Sequence, residues 1–331
     1  MKCFYHIDPD GWCSGYWVRY LCDHLKNIDN SYSYTRDDFI PFNYGFKFPL
    51  DKISENEKVF IVDLSIDVAD MEKLLTITND IVWIDHHKTS IEKYANFHTN
   101  LPGIRYDGLA ACILTYAYVI HTLEHGSPDN DRDAILSIIT ANQTPYFTKY
   151  IADFDVWDFK YGDDTRNFVA YINSRLDTHP CDEIWDSLNS GSFNKPVNLD
   201  DIEKILSIGQ EIRNSNEVMA NNYVSSKGMV GTFEGLKVCI VNISPGFGNS
   251  LWFENNPMTK DLDAWIIFGI TALNGKLKYS YSIYSKKYDI SEIAKKYGGG
   301  GHRGASGFST DEFIFKADEL VSLRKYYEEN K

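Results

Sequence analysis

Short apolar runs alternate with longer stretches in which apolar residues recur at helical spacing. The runs read as buried strands at residues 2–6, 32–35, 58–62 and 81–84. The periodic stretches predict helices over 12–26, 68–75, 109–125 and 131–142, with another opened by Lys88 and Thr89. Strand and helix in alternation predict an α/β domain on a parallel sheet. Residues 150–157 are an apolar segment interrupted by acids, and further helices are expected at 166–174, 181–188 and 200–221. The last has Ile202, Ile205, Leu206, Ile208 and Ile212 on one side and charge on the other, as a connector would. From residue 227 the pattern changes. Strands are expected at 236–243, 264–271 and 277–283, with Asn274-Gly275 as a hairpin turn and a short helix over 290–297. The expected organisation is a parallel-sheet domain over 1–195, a helical connector over 196–226 and a smaller α/β domain over 227–331, with a cleft between the domains.

Several predicted strands end in the same chemistry. Residues 81–84 run into Asp85-His86-His87, and residues 58–62 run into Asp63. Residues 2–6 lead into His6-Ile7-Asp8-Pro9-Asp10-Gly11, where an extended backbone would turn His6, Asp8 and Asp10 to one side. Pro9 favours an extended Asp8, and Gly11 permits a tight turn into the helix. Ligands gather beyond the carboxyl ends of strands in open α/β sheets. Carboxylate and imidazole together suit a borderline divalent ion, Mn²⁺ or Zn²⁺, or Mg²⁺ where nitrogens are fewer. Any one of these acids alone would serve equally well as a helix cap. Asp153 and Asp155 alternate toward one side if their segment is extended, and either would complete a second metal site. His121, His125 and Cys112 fall on the packing face of a helix and are expected to be structural.

Gly298 to Gly301 are followed by His302 and Arg303. Consecutive glycines let backbone N–H groups approach an anion closely. Arg303 adds a fixed positive charge suited to phosphate.

The net charge of −14 argues against a long nucleic-acid duplex as partner and leaves a small phosphorylated substrate open. No apolar run approaches the roughly 18 residues of a membrane span, so no membrane partner is expected. The acidic N-terminal segment lacks the apolar core of an export signal. Six scattered cysteines without a C-x-x-C pair fit reduced thiols, and a cytoplasmic location is expected.

Taken together, His6-x-Asp8-x-Asp10-Gly11, the strand-end Asp63, Asp85-His86-His87, Ile151-Ala152-Asp153 and Gly299-Gly300-Gly301-His302 resemble the motifs of the DHH/DHHA1 phosphoesterase superfamily, which includes RecJ-like nucleases and nanoRNase/pAp phosphatases. In several relatives the first-motif histidine stands four residues before the first aspartate; here His6 stands two before Asp8. The resemblance implies two divalent ions, usually Mn²⁺, with Mg²⁺ or Co²⁺ as substitutes. His6, Asp8 and Asp63 would hold one, and Asp10, Asp63, His86 and Asp153 the other, with Asp155 competing for the last place. Asp85 would orient a histidine, and His87 would face the scissile phosphate. Lys88, Gly299, Gly300, Gly301, His302 and Arg303 would bind substrate. The implied reaction is hydrolysis of a small nucleotide phosphoester: a short oligoribonucleotide, pAp or a cyclic dinucleotide. Polyphosphate hydrolysis, a single-strand exonuclease and a non-catalytic nucleotide sensor are the alternatives, and a homodimer is an open expectation.

Overall fold

Four apolar strands lie side by side near the start of the chain: β1 (Lys2–His6), β2 (Phe39–Phe42), β3 (Val59–Val62) and β4 (Ile81–Ile84). All pair in parallel, in the order β2-β1-β3-β4. This is a computed structural model that describes residues 1–44, 46–125, 133, 137–139, 144–189, 199–243, 250–273 and 276–331. It divides into two units, Met1–Arg213 and Asn214–Lys331.

Both faces of the first sheet are covered, which is why its strands read as unbroken apolar runs. Cys3, Tyr5, Val82 and Ile84 point to one face, where Trp17, Leu21, Tyr116 and Phe147 pack. Phe4, Ile81 and Trp83 point to the other, with Met71, Leu74 and Tyr94. The covering helices are α1 (Pro9–Leu25), α2 (Val68–Leu75), α3 (Lys88–Lys93), α4 (Ala111–His125), α5 (Tyr146–Asp155), α6 (Asp163–Asn173) and α7 (Glu183–Asn189). A long helix, α8 (Leu199–Lys227), carries the chain from the first unit into the second.

Three local expectations change. The strand expected at 32–35 forms at Phe39–Phe42, and Asn30–Tyr32 is a 3₁₀ turn. Helix α1 starts at Pro9, capped by Asp8, whose Oδ1 accepts the Gly11 amide at 2.9 Å. Gly11 therefore lies inside the helix, where an added Cβ would fall 2.1 Å from the His6 carbonyl oxygen; close packing demands glycine there. Residues 150–157 are mostly helical, which separates Asp153 from Asp155. The helix expected over 131–142 and the Asn274-Gly275 turn lie largely or wholly outside the described residues.

The second unit holds a mixed sheet of β5 (Met229–Phe233), β6 (Leu236–Asn242), β7 (Ala264–Leu273), β8 (Lys276–Tyr284), β9 (Gly300–His302), β10 (Ala305–Thr310) and β11 (Val321–Ser322). Its order is β11-β5-β6-β7-β8-β10-β9, with β6 and β7 parallel and the other pairs antiparallel. Strand β5, which the apolar pattern does not predict, joins β6 through Glu234 and Gly235, both at positive φ. Helices α9 (Leu251–Glu254), α10 (Ser291–Lys296) and α11 (Leu323–Glu329) complete the unit. Among the described residues no helix is long and apolar enough to cross a membrane.

The glycine run has a packing purpose that its sequence alone does not suggest. It forms the edge of this sheet: Gly300, Gly301 and His302 pair with Gly307, Ser306 and Ala305. A Cβ on Gly299 would lie 2.0 Å from the Gly307 carbonyl oxygen, and one on Gly301 2.7 Å from that of Ala305, whereas Gly300 faces open space. Gly299→Ala is accordingly expected to cost about 1–3 kcal/mol through overpacking, and Gly300→Ala well under that. Chemical denaturation of the two variants checks the difference.

Candidate metal centre

The sheet register aligns the ends of three neighbouring strands. Tyr5 pairs with Val62, and Val62 with Ile84, so the next residues outward are His6, Asp63 and Asp85. Asp63 sits at φ +54°, in the left-handed region, where a non-glycine residue costs about 1–3 kcal/mol. Its amide donates to the Ile84 carbonyl at 3.0 Å, and the Trp83 indole N–H donates to the Leu64 carbonyl at 2.9 Å. These bonds hold the chain in that turn and keep Asp63 at the sheet rim.

Asp63 joins two groups of side chains. On one side His6 Nδ1 lies 2.6 Å from Asp8 Oδ2 and 3.7 Å from Asp63 Oδ2. On the other, His86 Nε2 lies 3.3 Å from Asp63 Oδ1, 3.3 Å from Asp155 Oδ2 and 3.6 Å from Asp10 Oδ2. His6, Asp8 and Asp63 each offer a ligand atom within 4.8 Å of the others, as do Asp10, His86 and Asp155. Asp63, His86 and His87 form a third such set.

Each neighbouring carboxylate is held by a different means. Asp10 accepts the first amides of α4, from Ala111 at 2.8 Å and Cys112 at 2.7 Å, so a helix N-terminus orients it. Asp85 Oδ1 accepts the amides of His86 and His87 and lies 2.7 Å from His87 Nδ1. Beyond Asp85, residues 104–106 extend the sheet edge: the Asp85 amide donates to Ile104 and its carbonyl accepts from Tyr106.

Asp153 stands apart from the cluster. Its carboxylate accepts the amides of Lys160 at 2.8 Å and Tyr161 at 3.2 Å and the Thr165 hydroxyl. It folds residues 156–162 back against α6. In an extended strand Asp153 and Asp155 would point the same way. In α5 they diverge by about 200°, and it is Asp155 that reaches His86 and Asp10. Lys88 begins α3 and is exposed to solvent, and Gly299 to Arg303 belong to the second unit. Tyr44 is a site residue that no sequence motif singles out; its ring centroid lies 5.5 Å from that of His6 and 6.1 Å from that of His87. The run of aromatics at Phe42, Tyr44, Phe46 and Phe48 is the sequence feature that marks this segment.

The electrostatics fit divalent cations. Among the described residues no lysine or arginine pairs with Asp8, Asp10, Asp63 or Asp155. Burial and then the charges of Asp10 and Asp8 push both Asp63 and Asp155 well above the usual carboxylate range. Burial alone would raise Asp8, yet the His6 charge and hydrogen bond hold it well below that range. Burial lowers His86. Oδ2 of Asp63 and Oδ2 of Asp155 are buried acceptors without a hydrogen-bond partner, and mixed oxygen and nitrogen donors surround them. Residues of this type and placement suit ions such as Mn²⁺.

The two acids of α5 should respond differently to substitution. Asp153→Ala should lower stability by about 3 kcal/mol through loss of hydrogen bonds to a buried charged group, while Asp155→Asn should leave the metal-free protein as stable or more so. Asp155→Asn should instead weaken Mn²⁺ binding by at least about 10-fold, the smallest loss usual for groups that merely support a ligand. Denaturation and metal titration of both variants separate the roles. The raised carboxyls also set a pH dependence. A group with a raised folded pKa stabilises fully below its unfolded value near 3.9 and loses that contribution as pH rises through the folded value. The metal-free protein should therefore melt at a higher temperature at pH 5.5 than at pH 7.5, with a smaller difference in Asp63→Asn. Mn²⁺ should raise the melting temperature of the unmutated protein at pH 7.5 and leave Asp63→Asn nearly unchanged.

No protein-family model matches the chain. It is 27% identical over 319 residues to oligoribonuclease NrnB of Bacillus subtilis, a match covering 85% of this chain and 68% of NrnB. It is 22% identical over 279 residues to an uncharacterised protein of Acanthamoeba polyphaga mimivirus, covering 81% of this chain. The chain thus spans only 56% of that relative's length. Among solved structures, the DHH domain of a member of a ribosomal-protein family shares the fold, with a TM-score of 0.51 and 14% identity over 99% of this chain and 85% of that one. The strand-end motifs gathered on one sheet rim, the sequence likeness to NrnB and the shared fold thus all resemble the DHH/DHHA1 phosphoesterase superfamily.

Proposed function

We propose that this protein is a metal-dependent phosphohydrolase that cleaves short oligoribonucleotides or similarly small nucleotide phosphodiesters. The observation that carries the reading is Asp63, shared between the His6–Asp8 group and the His86 group. The likeness to an oligoribonuclease across most of the chain supports the substrate class. His6, Asp8 and Asp63 would hold one ion; Asp10, Asp63, His86 and Asp155 would hold the other. When bound, such ions acidify water and neutralise phosphate charge, Mn²⁺ being the expected metal.

The protein's own groups prepare the rest. Burial alone would lower the His87 pKa, but its hydrogen bond to Asp85 and that residue's charge raise it to about 9. His87 is then protonated at neutral pH, with Nδ1 held by Asp85, and serves as the acid that gives a proton to the leaving oxygen. Lys88 would offset phosphate charge in the first unit, and in the second unit His302, Arg303 and the edge strand at Gly299 to Gly301 have the cationic and backbone-donor chemistry that binds phosphate.

The test is incubation with a 5′-labelled RNA dinucleotide, a longer RNA, single-stranded DNA, pAp, cyclic-di-AMP and polyphosphate, with Mn²⁺ and then with EDTA. Metal-dependent cleavage of the dinucleotide is expected, abolished in Asp63→Ala. His87→Ala should lower kcat by about 10²–10⁴-fold. Because the protonated form acts, kcat should fall as pH rises through about 9, and Asp85→Asn should move that limb to lower pH. Full activity of Asp63→Ala, or turnover unaffected by EDTA, defeats the proposal.

A further inference from the structure

The strand ends that deliver the metal cluster continue into a second feature. Two residues beyond Asp63 is Ser65, and two and three beyond His87 are Thr89 and Ser90. With Phe42, Tyr44 and Phe46 from the end of β2 they line a pocket of about 240 Å³. Tyr44 belongs to both places, since its ring also stands against those of His6 and His87.

The walls and the rim differ in chemistry. Tyr44 is 45% exposed and Phe46 63%, a large aromatic surface left to solvent beside the cluster. Such rings are faces on which a flat ligand stacks. The floor carries the hydroxyls of Ser65 and Ser90, 2.6 Å apart, which present donors and acceptors to a ligand edge. The rim holds Asp67 and Asp70. Lys93, the only cation of the lining among the described residues, is neutralised by Asp67 at 2.6 Å. Two carboxylates and one paired lysine disfavour a phosphate and favour an uncharged ring bearing N–H groups.

We infer that this pocket is a base-binding subsite, which takes the nucleobase of the nucleotide whose phosphate meets the His6–Asp63–His86 cluster. The base stacks on Tyr44 and Phe46 with its polar edge toward Ser65 and Ser90. This rests on the hydrolase reading above and adds to it the part of the substrate that these residues recognise. Affinity on this side is then carried by the base, and its loss is felt whatever the fate of the phosphodiester.

Calorimetric titration of the Mn²⁺-loaded full chain with AMP, CMP and ribose 5-phosphate tests it. At least one mononucleotide should bind about 10-fold or more tightly than ribose 5-phosphate, as base stacking on aromatic rings provides. Phe46→Ala should remove most of that difference and leave ribose 5-phosphate binding unchanged, and Tyr44→Ala should remove most of that difference as well. Phe46 is largely exposed, so its variant keeps the fold, which a melting curve checks. Equal affinity for nucleotide and sugar phosphate, no nucleotide binding, or unaltered binding by both variants would overturn the inference. Failure of the hydrolase reading is seen separately, as absence of metal-dependent dinucleotide turnover in the unmutated protein.

Discussion

Buried carboxylates gathered at one rim of a parallel sheet, with no lysine or arginine among the described residues paired with Asp8, Asp10, Asp63 or Asp155, are the constraint on which the first unit is organised. A parallel sheet covered on both faces leaves its strand ends as the place where polar side chains reach the surface. Here three neighbouring ends are in register, and the residues just past them are His6, Asp63 and Asp85. Burial, and then like charges so close together, oppose ionisation and push Asp63 and Asp155 well above the usual carboxylate range. Such a cluster is unfavourable in an apo fold and favourable around cations. The left-handed backbone at Asp63 adds local strain of the same kind, retained where the surrounding strands and Trp83 enforce it.

The surrounding aspartates look alike in the sequence and behave differently because their environments differ. Asp10 is oriented by the N-terminus of α4, Asp85 holds the backbone and ring of His87, and Asp153 closes the turn after α5. Asp63 and Asp155 each keep a buried oxygen that has no hydrogen-bond partner, and both carboxylates are aimed at His86. Oδ2 of Asp85 is likewise without a partner, but that acid is held through Oδ1 by the amides of His86 and His87, whereas Asp63 and Asp155 face the His86 ring.

The second unit carries a comparable lesson about glycine. Gly299 and Gly301 are required by the close approach of β10, whereas Gly300 faces open space and would accept a side chain. One motif thus mixes positions that packing dictates with one that it does not. An edge strand leaves one row of its backbone groups unpaired, and an extended ligand can use them.

Much was legible in the chain itself. Continuous apolar runs in Val59–Val62 and Ile81–Ile84 read as buried strands, and both are strands buried throughout, with the acids and histidines after them gathered at the rim of the sheet. The motifs carried the resemblance to the superfamily. What the chain alone left open was the choice between Asp153 and Asp155, because a local pattern of alternating acids is compatible with strand or helix. The packing of α5 against α4 and α6 decided for helix, which turned one acid toward His86 and the other toward the 160–165 backbone. Strand β2 at Phe39–Phe42, the hold of α4 on Asp10 and the place of Tyr44 beside His6 and His87 were likewise decided by tertiary contacts. Each joins residues distant in sequence, and local periodicity carries no record of which distant partner a side chain will meet.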